Sequence, residues 1–200
     1  GKDISVVGLS QGSLIARYII EECDFGGSVK RYVSIGGPQM GVAVIPHCSD
    51  GWFCNIINGI TDKVVYTSAI QSIVGPAGYF HTYNDEKAFR EGSSFLAELN
   101  NEKETANSES YKNRFIGLES MVLIMFTQDT MIIPKETAHF QFYNDKKEVV
   151  AFTETDVYQE DKLGLRTLHE AKKIQFFGID GNHLQFTMDD IDTKMVPYLK

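Results

Sequence analysis

The chain has 200 residues, 42% of them hydrophobic and 23% charged, which suits one globular domain and excludes fibrous, collagen-like and disordered classes. Nineteen basic and 27 acidic residues give a formal net charge of −8. Because the Lys and Arg residues do not cluster in a block, nucleic acid is not an expected partner. The longest purely apolar run, Met121 to Phe126, is too short for a transmembrane helix.

The first elements along the chain predict a parallel sheet. Ile4 to Val7 form a β-branched run that ends at Gly8, a pattern typical of a buried strand. An amphipathic helix should begin near Gln11, and its apolar stripe comprises Leu14, Ile15, Tyr18 and Ile19. Arg31 to Ile35 then predict a second strand. The order strand, helix, strand is typical of an α/β fold.

The middle of the chain changes to helical patterns separated by polar loops. One apolar stripe comprises Ile56, Ile57, Ile60 and Val64, and a second comprises Ile70, Ile73 and Val74. Asn100 to Ser110 predict a solvated polar stretch. The sheet should resume at Met121 to Phe126 and at Ile174 to Phe177, followed by a helix around Asp189 to Leu199. We therefore divide the chain into a core (1–37 and 119–200) and an inserted helical cap (38–118).

The segment Gly8-Leu9-Ser10-Gln11-Gly12 matches G-x-S-x-G between a predicted strand and a predicted helix. Such a turn strains the backbone at the serine and exposes its hydroxyl, and both glycines are expected to avoid clashes between strand and helix. The backbone N–H of Gln11, at the helix N-terminus, suits a developing oxyanion. The segment predicts that Ser10 is a nucleophile.

An acid and a histidine follow Ser10 in the chain order that this motif requires. Asp129 comes after the third predicted strand and His183 after the fourth, so both should converge with Ser10 at one sheet edge. His183 would take the proton of Ser10, and Asp129 would orient the imidazole. Asp180 is the second choice for the acid. It is close to His183 in sequence, but a separation of three residues is too short for an acid that normally follows a preceding strand. The other histidines are expected to be structural or solvated: His47, His81, His139 and His169.

The three cysteines lack the spacing of a zinc or redox site, and neither a metal nor a cofactor is expected. Cys48 and Cys54 flank a turn-forming stretch, so they are either buried thiols or the two ends of a small disulfide loop. Cys23 is then left as a free thiol or as one half of a pair whose partner is missing.

Several segments resemble the lysosomal palmitoyl-protein thioesterases, a branch of the α/β-hydrolases. They include G-L-S-Q-G at 8–12, S-I-G-G-P-Q-M-G-V at 34–42, F-T-Q-D-T-M-I-I-P at 126–134, Y-Q-E-D-K-L-G-L at 158–165 and G-N-H-L-Q-F at 181–186. The resemblance implies Ser10 as nucleophile, Asp129 as acid, His183 as base and Gln11 in the oxyanion hole. It also implies a disulfide between Cys48 and Cys54, and a partner for Cys23 earlier in the chain.

The resemblance implies an α/β-hydrolase fold with a mostly parallel sheet, helices on both faces and a helical cap. Members carry several strands before the nucleophile, including a loop that supplies a second oxyanion N–H. The chain begins at Gly1 directly before a strand, so we expect a C-terminal portion that lacks those strands.

The implied activity is hydrolysis of long-chain fatty acyl thioesters on protein cysteines through an acyl-enzyme, with S-acylated proteins or peptides as partners. A lipase or carboxylesterase of the same fold and a non-catalytic acyl-binding fragment remain alternatives. An acyl groove is expected at Met131, Ile132, Ile133 and Phe80, although such apolar residues also suit the core of the cap. Lysosomal or secretory placement follows from the resemblance alone, because the sequence has no N-x-S/T acceptor.

Overall fold

The structure is a computed structural model that describes residues 2–44, 65–73 and 75–200. Within these ranges four parallel strands form one sheet in chain order: β1 (Asp3–Leu9), β2 (Ser28–Ile35), β3 (Ser120–Phe126) and β4 (Ile174–Ile179). The predicted α/β fold is confirmed, and each predicted strand is present.

Helices lie between and after the strands. The helix α1 (Gly12–Glu21) joins β1 to β2. Between β2 and β3 come α2 (Ser68–Ile73), a 3₁₀ helix (Gly75–Tyr79), α3 (Glu86–Gly92), α4 (Leu96–Leu99) and α5 (Ser108–Ile116). Between β3 and β4 come 3₁₀ helices at Lys135–His139 and Phe152–Glu154, then α6 (Asp156–Gln159) and α7 (Leu165–Glu170). After β4 come α8 (Met188–Lys194) and a 3₁₀ helix (Val196–Tyr198). No helix in the described ranges has the length and apolar character needed to cross a bilayer.

The predicted stripe from Ile56 to Val64, and Val74 of the second stripe, lie outside the described residues. The boundaries of the proposed cap at residues 38 and 118 stay a prediction.

Both faces of the sheet are covered by helices. On β3, Leu123 packs in one buried cluster with Ile20 of α1, whereas Ile124 packs in another with Met195 next to α8. Successive side chains of a strand point to opposite faces, so a strand covered on both sides is apolar along its whole length. This explains why β3 contains the longest apolar run of the chain.

The N-terminal strand β1 is less buried than its sequence predicts. Among the described strands it pairs only with β2 and forms an edge of the sheet, and Ile4, Val7 and Leu9 are about two-fifths exposed, at 38%, 45% and 43%. The prediction of a buried strand is therefore wrong for the described structure, because no described element covers these side chains.

The helix α1 also buries a different face from the one predicted. Leu14 is buried, but Ile15 and Tyr18 are 55% and 41% exposed, and the buried face carries Arg17 and Glu21 instead. The predicted apolar stripe is wrong because Arg17 finds polar partners in other segments, at Gln39, Leu99 and Asn100, and Glu21 pairs with Arg17.

The prediction that Asn100 to Ser110 are exposed to solvent is also partly wrong. Asn100 and Asn101 are buried. The side chain of Asn101 donates to the carbonyl oxygens of Ser108 and Lys162, at 2.9 and 3.1 Å. These asparagines fill polar positions of the interior, whereas the rest of the stretch leads into α5.

The helix α8 begins at a capping box, which accounts for the predicted C-terminal helix. The Thr187 hydroxyl accepts from the Asp190 backbone N–H at 3.2 Å, and the Asp190 carboxylate accepts from the Thr187 backbone N–H at 2.9 Å. These bonds satisfy N–H groups that lack partners at the start of a helix.

Candidate active site

The turn that holds Ser10 joins β1 to α1 at the carboxyl edge of the sheet. Ser10 has a φ of 51°, in the left-handed region that side-chain-bearing residues seldom occupy. Its backbone N–H donates to Ile35 at 2.8 Å, and its carbonyl accepts from Ser13 at 2.9 Å. These bonds hold the strained residue in place, as the G-x-S-x-G motif predicts.

The two glycines of the motif have different surroundings. A Cβ at Gly8 would lie 2.4 Å from the Cα of Ser13 and 2.6 Å from the carbonyl oxygen of Gly12, so strand and helix touch there. A Cβ at Gly12 would meet nothing within 4 Å. The expected steric need for glycine therefore holds at Gly8 and is wrong at Gly12.

The structure brings together the three side chains that the sequence predicts. The Nε2 atom of His183 lies 2.9 Å from Ser10 Oγ, and its Nδ1 atom lies 2.6 Å from Asp129 Oδ2. The side chains of His183 and Asp129 are only 7% and 3% exposed. In this geometry the imidazole can accept the Ser10 proton while Asp129 keeps the other ring N–H oriented.

The carboxylate of Asp129 is held on both oxygens. Oδ1 accepts the backbone N–H groups of Met131 and Ile132, at 2.9 and 3.0 Å, while Oδ2 faces His183. Burial alone would raise the pKa of Asp129, but these hydrogen bonds favour the charged form and bring the pKa below its ordinary value. These contacts thus favour the charged form of Asp129 beside His183.

The alternative acid, Asp180, has other partners. Its carboxylate accepts from the hydroxyl of Thr127 at 3.1 Å and from the side-chain amide of Gln128 at 2.7 Å. It makes no hydrogen bond to His183 within the described structure, so the geometry favours Asp129.

Three other histidines take structural positions. His81 is stacked between Phe89 and Phe142, with ring centroids 3.7 and 4.2 Å away. The Nε2 atom of His139 lies 3.2 Å from the carbonyl oxygen of Phe177, and the Nδ1 atom of His169 lies 3.0 Å from the hydroxyl oxygen of Tyr158. The fourth, His47, lies outside the described residues.

The predicted acyl-groove residues occupy several environments. Met131 is 50% exposed beside Asp129, whereas Ile132 is buried with Leu14 and Ile133 is half-buried. Phe80 is buried in a separate cluster with Val65. Met131 is therefore the only one of the four that presents substantial apolar surface next to the three side chains.

Cys48, Cys54 and their predicted disulfide lie outside the described residues, and Cys23 is an exposed free thiol. No group of three metal-binding side chains occurs in the part of the chain that the structure describes.

A buried polar network behind the nucleophile was missed at the sequence level. Arg17, fully buried on α1, donates to Glu21 at 3.0 Å, to Asn100 Oδ1 at 2.8 Å and to the Leu99 carbonyl at 2.9 Å. Gln39 is a further acceptor for Arg17, at 3.4 Å. The network ties the helix that follows Ser10 to residues of the proposed cap. Its only sequence signal is the i, i+4 spacing of Arg17 and Glu21, which is more often found on solvent-exposed helix faces.

Glu21 is the least satisfied member of that network. Its Oε2 atom is buried without a hydrogen-bond partner in the described structure. Burial raises the pKa of the Glu21 carboxyl to about 7, although the charge and hydrogen bond of Arg17 lower it in part. The interior beneath α1 therefore holds a carboxyl group that titrates near neutrality.

Comparison with known proteins identifies the family of this chain. The family model described as "Palmitoyl protein thioesterase" matches residues 1–183, a range that includes Ser10, Asp129 and His183. The chain belongs to this family.

Curated thioesterases are among its relatives. Over 184 residues the chain is 36% identical to palmitoyl-protein thioesterase 1 of Caenorhabditis elegans, covering 90% of this chain and 61% of that protein. It is 34% identical over 188 residues to palmitoyl-protein thioesterase 3 of Dictyostelium discoideum, covering 93% and 63%. It is 29% identical over 174 residues to the lysosomal thioesterase PPT2 homolog of Drosophila melanogaster, covering 86% and 58%. This member of the thioesterase family thus spans about three-fifths of the length of these relatives.

Proposed function

We propose that this protein is a serine thioesterase that removes long-chain fatty acyl groups from protein cysteines. The observation that carries the proposal is the unbroken hydrogen-bond path from Ser10 through His183 to Asp129, at 2.9 and 2.6 Å. Family membership supports the substrate class, because the relatives are named palmitoyl-protein thioesterases.

The reaction proceeds in two halves. His183 accepts the Ser10 proton as Oγ attacks the thioester carbonyl, and the Gln11 backbone N–H stabilises the oxyanion. The C–S bond then breaks, the cysteine sulfur leaves with the proton from His183, and the acyl group stays on Ser10. In the second half His183 activates a water molecule, which releases the fatty acid and restores the serine hydroxyl.

The acyl chain begins its apolar contact at Met131. The backbone N–H of this residue binds Asp129, and its side chain is half exposed beside the reacting groups. We propose that Ile133, which is half-buried, continues this path, and that Ile132 and Phe80 belong to the packed clusters behind it. Each buried methylene contributes about 0.8 kcal/mol, or roughly fourfold in affinity, so a continuous path favours palmitoyl over short acyl groups.

The arrangement of the chain also supports the proposed division into core and cap. The three catalytic side chains come from residues 1–37 and 119–200, and all follow strand ends at one edge of the sheet. Residues 38–118 then form the cap. Lysosomal placement is part of the same proposal, because the fly, frog and mouse relatives are named lysosomal thioesterases.

The test uses the purified protein with a palmitoyl thioester of a cysteine peptide, a p-nitrophenyl ester and a fluorophosphonate probe. We expect the probe to label Ser10 and the thioester to be hydrolysed, and Ser10→Ala should abolish both. Ser110→Ala, a change at an exposed serine on α5, should alter neither. Ester hydrolysis without thioester hydrolysis would identify a carboxylesterase instead. A folded protein that the probe does not label would overturn the catalytic proposal in favour of an acyl-binding role.

The acyl path is tested by varying chain length. Met131→Glu should reduce kcat/KM for the palmitoyl substrate far more than for an acetyl substrate, because the acetyl group has no methylene chain to lie against this side chain. Equal losses for both substrates would show that Met131 does not line the path.

A further inference from the structure

The loops that carry the acid and the base are joined to each other. Residues 127–132 follow β3 and residues 180–186 follow β4. The backbone N–H of Thr127 donates to Ile179 at 2.9 Å, and that of Gln128 donates to the Gly181 carbonyl at 3.0 Å. These bonds extend the parallel pairing past the strand ends, but they stop one residue before Asp129 and two before His183.

Asp180 adds side-chain bonds to Thr127 and Gln128 at this level, and nearer to the catalytic pair the two loops are connected through the side chain of Asn182. Its Oδ1 atom accepts the backbone N–H of His183 at 2.7 Å and the backbone N–H of Thr130 at 3.0 Å. Two backbone donors converge on this atom, so it must be the amide oxygen. The amide nitrogen Nδ2 then donates to the Thr130 hydroxyl at 3.0 Å. Asn182 and Thr130 are thus sequence neighbours of His183 and Asp129 and bind each other through side chains and backbone.

The loop around His183 needs such support. Leu184, directly after the histidine, has a φ of 59°, in the left-handed region that is unfavourable for a leucine. The turn is closed on its other side by Gln185, whose side-chain oxygen accepts the Asn182 N–H at 2.9 Å and whose own N–H donates to the Asn182 carbonyl at 2.9 Å. Asn182 is therefore fixed to the histidine turn by its backbone and to the acid loop by its side chain.

We propose that Asn182 and Thr130 are positioning residues that set the distance between Asp129 and His183. The inference rests on the proposed hydrolytic function of the site. Neither residue touches the reacting atoms. Together they hold the two loops in register so that the 2.6 Å contact from Nδ1 to Oδ2 forms before substrate arrives. Displacement of a catalytic group by about 1 Å costs on the order of 100-fold in rate, so a joint of this kind affects turnover.

The test compares substitutions that remove the joint with others that keep it. Asn182→Ala removes every side-chain bond and should lower kcat tenfold to 100-fold with KM changed less than twofold. Thr130→Val removes only the hydroxyl and should give a smaller loss in kcat. Thr130→Ser and Asn182→Asp retain the hydroxyl and the acceptor oxygen, respectively, and should restore most of the rate.

A matched control separates this role from general loop stability. Asn144 makes a comparable set of local bonds, with Oδ1 accepting backbone N–H groups of Lys146 and Glu148 at 3.0 and 2.9 Å, in a turn after Tyr143. Asn144→Ala should leave kcat unchanged. An equal loss in this control would indicate an unspecific effect and overturn the inference.

A spectroscopic measurement makes the inference independent of turnover. The proton on His183 Nδ1, held against Asp129, should resonate far downfield in the wild-type protein and in Thr130→Ser. It should shift upfield or exchange away in Asn182→Ala. If this proton shifts in Asn182→Ala but the wild-type protein neither cleaves esters nor reacts with a fluorophosphonate, Asn182 has the positioning role and the proposed function is refuted. If Asn182→Ala changes neither kcat nor the downfield proton, the positioning role is refuted and the proposed function stands.

Discussion

The two glycines of the nucleophile turn allow a paired test of how strand and helix meet. A Cβ at Gly8 would lie 2.4 Å from the Cα of Ser13, whereas carbon atoms in contact normally stay about 3.5–4.0 Å apart. The nearest atoms, Ser13 Cα and the Gly12 carbonyl oxygen, belong to the backbone and cannot rotate away. To remove the clash, α1 must therefore move away from β1 by about 1 Å. Overpacking of this kind costs about 1–3 kcal/mol.

The same movement changes the geometry of the reacting groups. Ser10 lies between Gly8 and α1, so a shift of the helix lengthens the 2.9 Å contact between Ser10 Oγ and His183 Nε2. We expect Gly8→Ala to lower kcat by on the order of 100-fold, in addition to its effect on stability.

Gly12 is the matched control. An added Cβ there meets nothing within 4 Å, and the residue is the first of α1. Alanine lowers the conformational entropy of the unfolded chain, so Gly12→Ala should be neutral or stabilise the fold by about 0.4–1 kcal/mol.

Urea denaturation followed by tryptophan fluorescence or circular dichroism measures the stability of each variant, and fluorophosphonate labelling of Ser10 measures the competence of the site. A Gly8→Ala variant that unfolds and reacts like the wild-type protein would refute the steric argument. So would a Gly12→Ala variant damaged as severely as Gly8→Ala.

Three further predictions concern charged groups in and behind the site. Asp129→Asn should lower kcat by on the order of 10³–10⁴-fold. It should also remove stability that is present above the ordinary carboxyl pKa and lost on acidification, because the native pKa is lowered; urea midpoints across acidic pH check this. Asp180→Asn should keep kcat within a few-fold, since Asp180 does not bond to His183 and the new amide oxygen can still accept from Thr127 and Gln128. The pKa of Glu21 is about 7 in the folded protein, above the ordinary 4.5. The free energy of unfolding of the wild-type protein should therefore fall by up to about 3 kcal/mol as the pH rises from about 4.5 to about 7. Glu21→Gln should flatten this slope, which pH-dependent unfolding will show. A flat wild-type profile would contradict the assignment.

The catalytic candidates could be predicted from the sequence because their signals are local. G-x-S-x-G between a β-branched run and a helical pattern predicts a serine in a strained turn, and the φ of Ser10 agrees. Asp129 and His183 each follow an apolar strand, and parallel strands bring their carboxyl ends to one edge. Chain order and strand position were therefore enough to choose Asp129 ahead of Asp180.

Burial was predicted less well, because it depends on the neighbours that the fold supplies. Ile15 and Tyr18 are largely apolar, yet their neighbours cover that side of α1 only in part: the Tyr18 ring lies 6.1 Å from the Phe95 ring, and both residues stay partly exposed. The polar side chains of Asn100 and Asn101 predict solvent exposure, yet both are buried and bond to distant residues, Arg17 and Lys162. Hydrophobicity is a property of the residue, whereas exposure is a property of its surroundings.

The sequence by itself thus determined the strands, the order of the functional groups and the chemistry they can perform. Only the tertiary structure decided which polar groups lie inside, as with Arg17 and Glu21, and which side chain joins the acid loop to the base loop, as with Asn182. The physical reason is that a hydrogen bond requires angstrom-scale placement of two groups that are far apart in the chain. That placement emerges from the packing of the whole domain and has no signature in any short stretch of residues.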